Sequence, residues 1–148
     1  MKIAVGADHA GFDLREVLVR ELTFAGHEVK DLGAYKLDAT DDYPDFALMV
    51  ASAVQSGHVD RGIVICGSGI GATIVANKVQ GVRAATCHDT YSARQGVEHD
   101  DVNVLCLGAR VVGFEVAKEV LLSFMRATFS GEERHVRRLE KIQDLDLR

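Results

Sequence analysis

The chain has 148 residues, 47% of them hydrophobic, with a net charge of −5 and a single proline. That length fits one domain, 1–148, with a core of its own and leaves little room for a second. The acidic balance disfavours nucleic acid and anionic membrane as partners, and no stretch is long and apolar enough to span a bilayer, so a small molecule is the expected ligand.

Met1 to Gly6 opens as a strand pattern without a cationic leader or a cleavage site, which points to the cytoplasm. The first strand, Lys2 to Gly6, is followed by Leu14, Val17, Leu18, Glu21, Leu22 and Ala25 at helical spacing. Gly26 supplies a left-handed stop, and Glu28 to Leu32 is the second strand. The acidic stretch Asp38 to Asp42 reads as a solvated loop. Tyr43 to Gly57 is a helix with Pro44 in its first turn and Phe46, Ala47, Val50, Ala51 and Val54 on one face. Strands are expected at Gly62 to Cys66, Val82 to Cys87 and Asn103 to Leu107, separated by helices at Gly69 to Lys78 and Asp89 to Glu98. A longer helix, Val112 to Phe129, carries Val116, Ala117, Val120, Leu121, Phe124 and Met125 as its apolar stripe, and Glu132 to Ile142 forms a charged tail helix.

Alternating strands and helices predict a three-layer α/β/α sandwich on a Rossmann-like five-stranded parallel sheet, in the order 2-1-3-4-5, with a C-terminal helix. Ligands of such sheets bind beyond the carboxyl ends of the strands, at the switch between strands one and three. The loops there are Ala7 to Gly11 and Cys66 to Gly71. The second is the more telling, because Cys66-Gly67-Ser68-Gly69-Ile70-Gly71 turns from a strand into a helix and offers backbone amides to an anion. A helix start also favours a thiolate, which makes Cys66 the candidate nucleophile or base. Cys87 and Cys106 read as small buried hydrophobes, and an odd set of three cysteines without metal-ligand spacing fits a reducing compartment.

Asp8 and His9 follow the first strand to the same rim, where Asp8 can also serve as a helix cap. Arg110 reaches the rim after the fifth strand, His99 lies before it among Glu98, Asp100 and Asp101, and Arg134 and Arg138 share a face of the tail helix. Arginines near a glycine turn suit a phosphate. The turn admits a rival reading. Gly67, Gly69 and Ala72, with Asp89 further on, fit a dinucleotide fingerprint, as in a nucleotide-binding module. Phe12 and Asp13 stand where a P-loop needs lysine and a hydroxyl residue, and no zinc or calcium pattern is present.

Gly6-Ala7-Asp8-His9-Ala10-Gly11-Phe12, Asp42-Tyr43-Pro44, the run Cys66 to Gly71, Ala76-Asn77-Lys78, Asn103-Val104-Leu105 and Gly108-Ala109-Arg110-Val111 together resemble the ribose-5-phosphate isomerase B family and its galactose-6-phosphate and allose-6-phosphate relatives. The resemblance covers nearly the whole chain. It implies a homodimer or homotetramer with its site at a subunit interface, converting ribose 5-phosphate to ribulose 5-phosphate without a metal or other cofactor, or else a six-carbon sugar phosphate. It also implies roles: Cys66 as the base, Gly67 to Gly71 with the Ser68 hydroxyl as the oxyanion cradle, and His99 as the ring-opening acid with Asp8 as helper. His9, Arg110, Arg134 and Arg138 become the phosphate clamp, while Tyr43 and Asp100 line the sugar. Ala72 stands where one branch of the family carries a glutamate base, which favours the cysteine-dependent branch. Ser68 replaces a common threonine, Asp100 a frequent asparagine, and Glu132 and Glu133 a pair of glycines.

Overall fold

The computed structural model describes residues 1–146. Strands β1 (Lys2–Ala7), β2 (Glu28–Asp31), β3 (Arg61–Cys66), β4 (Ala84–Thr86) and β5 (Val104–Gly108) alternate with helices α1 (Phe12–Phe24), α2 (Tyr43–Gln55), α3 (Ile70–Ala76), α4 (Thr90–Asp100) and α5 (Phe114–Arg126). Helix α6 (Glu133–Asp146) closes the described chain. All strand pairs are parallel, and the architecture is the expected α/β sandwich.

The strand order is 2-1-3-5-4, not the expected 2-1-3-4-5. Burial gives the reason. Every residue of β5 is buried, as are five of the six in β1 and in β3, so these runs need a strand on each side and a helix layer on each face. In β2 and β4 no residue is fully buried, which suits an edge. Crossover handedness agrees: the helices after β2 and β3 cover one face, and those after β1, β4 and β5 cover the other. A right-handed return from β4 inward to β5 requires that switch of face.

The two faces differ in grain. One packs Leu14, Leu18 and Leu22 of α1 and Val120, Leu121 and Phe124 of α5 onto Ile3, Val5, Ile63, Ile65, Leu105 and Leu107. The other packs small residues, Ala47, Val50 and Ala51 of α2 with Ala72 and Ala76 of α3, onto Ala4, Val64 and Cys106. There α2 lies so close to the sheet that a Cβ at Gly62 would stand 2.5 Å from a Val50 methyl. Val116, expected in the buried stripe of α5, is 49% exposed. Arg15, on the inner face of α1, is 4% exposed, pairs with Asp31 and lies over the Phe12 ring.

Candidate active site

Three loops leave the carboxyl ends of the central strands and are tied to one another by backbone bonds. After β1, the Asp8 amide donates to the Ile65 carbonyl at 3.3 Å, and Asp8 Oδ1 accepts from the Ala10 and Gly11 amides at 3.0 and 3.1 Å. After β5, the Ala109 and Arg110 amides donate to the carbonyls of Cys66 and Gly67 at 2.9 and 3.0 Å. Between them runs the glycine turn. Its Gly69 has φ +82°, a left-handed conformation that glycine adopts at no steric cost, and this turns the Gly69 amide onto Cys66 Sγ at 3.1 Å. The Ile70 amide donates to Ser68 Oγ at 3.2 Å, and a Cβ at Gly108 would stand 2.6 Å from Ser68 backbone. Glycine is what lets the second and third loops lie in contact.

These loops enclose a cavity of about 630 Å³ lined by Asp8, His9, Tyr43, Cys66, Gly67, Ser68, Ile70, Gly71 and Arg110. Gly69 lies buried at the sulfur rather than on the wall. Arg110 reaches over Gly67, where a Cβ would meet its Nη1 at 3.2 Å, and the Tyr43 ring lies against Gly71, where a Cβ would come within 2.4 Å of Cζ. The cavity therefore joins a buried thiol, a hydroxyl, a glycine turn, a guanidinium and an imidazole. Its polar groups match an anionic, hydroxylated small molecule.

His9 is held from behind. Asp41 Oδ1 accepts from the His9 amide at 2.9 Å and from His9 Nδ1 at 2.6 Å. That hydrogen bond raises the His9 pKa above its ordinary value, as do the charges of Asp8 and Asp41, while burial and Arg110 oppose the rise. Asp41 was expected to be solvated; instead its side chain is 12% exposed. Nothing in the local sequence distinguishes it from Asp38, whose carboxylate binds the Thr40 amide and hydroxyl, or from Asp42 at the start of α2. His88 was also missed: its Nε2 accepts from the Gly108 amide at 2.8 Å and so fixes the loop carrying Arg110. Asp8, His9 and Asp41 bring one candidate ligand atom each within 4.8 Å of one another, the only such group of three among the described residues. Asp8 Oδ1 and Asp41 Oδ1 each already accept two protein N–H donors, so hydrogen bonding accounts for the cluster.

Besides Gly69, four expected site residues lie off the wall of this cavity within one chain: His99, Asp100, Arg134 and Arg138. His99 is not in a loop but in the last turn of α4, where its ring stacks on His135 of α6 at 4.0 Å between centroids. His135 is 1% exposed, and burial, joined by the charge of neighbours including His99, lowers its pKa. Asp100 lines a separate cleft with Asn77 and Arg83. Arg134 Nε donates to Glu132 at 2.9 Å on the surface, and Arg138 is exposed on α6. The dinucleotide reading loses its acidic residue: Asp89 caps α4 by accepting from the Ser92 amide at 2.7 Å and lines a separate cleft with Glu115 and Glu119. Cys87 and Cys106 are buried, and burial pushes their thiols up to about 11 and about 12.

A parallel α/β sheet with a thiol, an anion cradle and a guanidinium at its switch point defines a small-molecule enzyme of the Rossmann-like class. Residues 3–142 match the Ribose/Galactose Isomerase family. Ribose-5-phosphate isomerase B of Escherichia coli is 46% identical over 147 residues, covering 99% of this chain and 97% of that protein. D-erythrulose-4-phosphate isomerase of Pectobacterium atrosepticum is 46% identical over 134 residues, covering 88% and 86%. The crystal structure of ribose-5-phosphate isomerase B from Mycoplasma genitalium with bound ribulose-5-phosphate superposes with a TM-score of 0.95 at 39% identity, covering 99% of this chain and 96% of that one. The chain belongs to the Ribose/Galactose Isomerase family, as its motifs foreshadow, and is an aldose–ketose isomerase of sugar phosphates.

Proposed function

We propose that the chain interconverts ribose 5-phosphate and ribulose 5-phosphate, with Cys66 as the base and no metal or other cofactor. The observation that carries this reading is the meeting of Cys66, the glycine turn and Arg110 in one cavity. In the open-chain aldose, Cys66 Sγ removes the proton from C2. The electron pair moves to the C1 carbonyl and gives an enediolate. A carbon acid of this kind ionises only if its oxyanion meets donors already in place. The remaining amides of the Gly67 to Gly71 turn and the Ser68 hydroxyl fill that role. The proton returned to C1, with the hydroxyl proton passing from O2 to O1, gives the ketose.

The phosphate lies at His9 and Arg110, and Tyr43 flanks the sugar. His99, Asp100, Arg134 and Arg138 come from a second copy of the chain. Their absence from the cavity within one chain supports this, as do the exposed apolar side chains of Ile70, Ile74 and Val111 at the cavity, each 56 to 57% exposed. His99, helped by Asp8, then opens the furanose ring. The working protein is a homodimer or homotetramer in the cytoplasm, with its site at the subunit interface.

Purified wild-type protein is expected to convert ribose 5-phosphate to ribulose 5-phosphate, and Cys66→Ala to lose the conversion with its circular dichroism intact. A Cys66→Ala enzyme close to wild type ends the assignment of the base. A second reading, a four-carbon substrate, is favoured by the D-erythrulose-4-phosphate isomerase relative, equal in identity to the pentose relative. A six-carbon substrate is the third. Side-by-side assays with erythrulose 4-phosphate and with ribose 5-, allose 6- and galactose 6-phosphates choose among them.

A further inference from the structure

We propose that Asp41 is a positioning residue of this site: by clamping His9 through both its amide and Nδ1, it holds the ring as a cation at the cavity wall, ready for a phosphate oxygen. The proposal rests on the reading that the cavity takes a phosphorylated sugar, and it adds a residue from outside the motifs that carry that reading.

The clamp follows from what each group can do. A carboxylate only accepts, so Nδ1 of His9 must be the protonated nitrogen in its 2.6 Å bond to Asp41 Oδ1. The same oxygen accepts from the His9 amide at 2.9 Å, and these two bonds fix main chain and ring together. With Nδ1 engaged, Nε2 is the nitrogen left for a ligand in the cavity that His9 lines. Asp41 Oδ2 is buried with no hydrogen-bond partner. A carboxylate in that state needs a countercharge close by, and protonated His9 supplies it. The charged groups acting on His9 are Asp8 on its own turn, Asp38 and Asp41 on the loop before α2, and Arg110 after β5. The hydrogen bond to Asp41 and the charges of Asp8 and Asp41 outweigh burial and Arg110 and favour the imidazolium. Because the folded pKa is raised, the charge persists at pH values where a free imidazole has lost its proton, and it disappears only as pH rises through that raised value.

The test uses the full chain with Asp41→Asn and Asp41→Ala. Asparagine keeps an acceptor for the ring and removes the charge; alanine removes both. Two readouts are taken from about pH 6 to about pH 9: the His9 ring titration by NMR, and competition of inorganic phosphate against ribose 5-phosphate. In both variants the His9 midpoint should fall. Phosphate affinity relative to wild type should be nearly unchanged at about pH 6, where an ordinary histidine is still largely charged. The loss should grow as pH rises beyond the ordinary histidine range, toward about tenfold, the size of one lost charge-assisted hydrogen bond. KM should rise more than kcat falls. A His9 midpoint that does not move overturns the proposal, and so does a loss of affinity equal at every pH, which is what general loosening would give. If the midpoint falls and phosphate binds neither wild type nor variant, the Asp41 and His9 pairing holds and the sugar-phosphate reading fails.

Discussion

The cavity at the ends of β1, β3 and β5 and the exposed face of α4 and α6 hold their polar groups in different ways. In the cavity, Cys66 Sγ, Ser68 Oγ and Asp8 Oδ1 each accept from a backbone amide, and the loops that carry them are bonded to one another. On α4 and α6 the groups are side chains of helices: His99 is stacked on His135, Arg134 meets only a surface glutamate, and Arg138 is exposed. Backbone-held groups meet developing charge without reorganising, which is what bond-breaking needs. Long side chains on a helix reach for a ligand and order themselves when it arrives. On the proposed function the first region carries the proton transfer between C2 and C1, and the second, brought by the other copy, adds ring opening by His99 and phosphate contacts by its arginines.

The largest effect that would break this comparison is at Cys66. Alanine there should lower kcat by about a thousandfold, as removal of a general base does, with the melting temperature little changed. The control is built in, since burial pushes the Cys87 and Cys106 thiols up and they should resist iodoacetamide, while Cys66, which lines the cavity, reacts and is protected by substrate.

His99→Ala should cost about a hundredfold on ribose 5-phosphate. It should spare a four-carbon aldose 4-phosphate, whose O4 carries the phosphate and so forms no furanose. The same variant tests the division between regions. Cys66→Ala and His99→Ala, each at about 1% or less of wild type on ribose 5-phosphate alone, should recover about a quarter of wild-type activity when unfolded and refolded together, because half the dimers are mixed and each mixed dimer holds one intact site. No recovery would place both residues on one chain and undo the comparison.

Arg110→Ala should raise the KM for ribose 5-phosphate by about thirtyfold, one lost charge-assisted contact, and Arg138→Ala and Arg134→Ala by less, with kcat changed little in each. Steady-state kinetics read all three. An Arg110 variant with wild-type KM would move the phosphate elsewhere.

The cavity was the more legible region because its signals are local. A strand that ends in Cys66 and runs into Gly67, Gly69 and Gly71 announces its turn, and the topology rule carries Asp8, His9 and Arg110 to the same rim. Asp41 was not legible, since which of several loop acids meets His9 depends on how the loop before α2 folds over β1. The exchange of β4 and β5 had a trace in the sequence: the apolar run Val104 to Leu107 reads as a central strand, and Ala84 to Thr86 as a poor one. His99 lies in a helix instead of a loop because α4 runs two residues further than expected, through His99 and Asp100 to a left-handed Asp101 at φ 50°, a stop that a non-glycine residue hides.

The smallest expected effect sharpens the account of the second region. The Glu132 carboxylate holds Arg134 at 2.9 Å with both side chains more than half exposed. An exposed pair of this kind is worth about 0.2 to 1 kcal/mol. A ligand phosphate that recruits Arg134 must first break it, so the pair reduces affinity by at most about fivefold. Glu132→Gln should therefore lower KM for ribose 5-phosphate by about twofold at low salt, with kcat unchanged, and the gain should vanish at high salt as the pair is screened. A KM that rises instead would mean that Glu132 orients Arg134 toward the phosphate and belongs to the site.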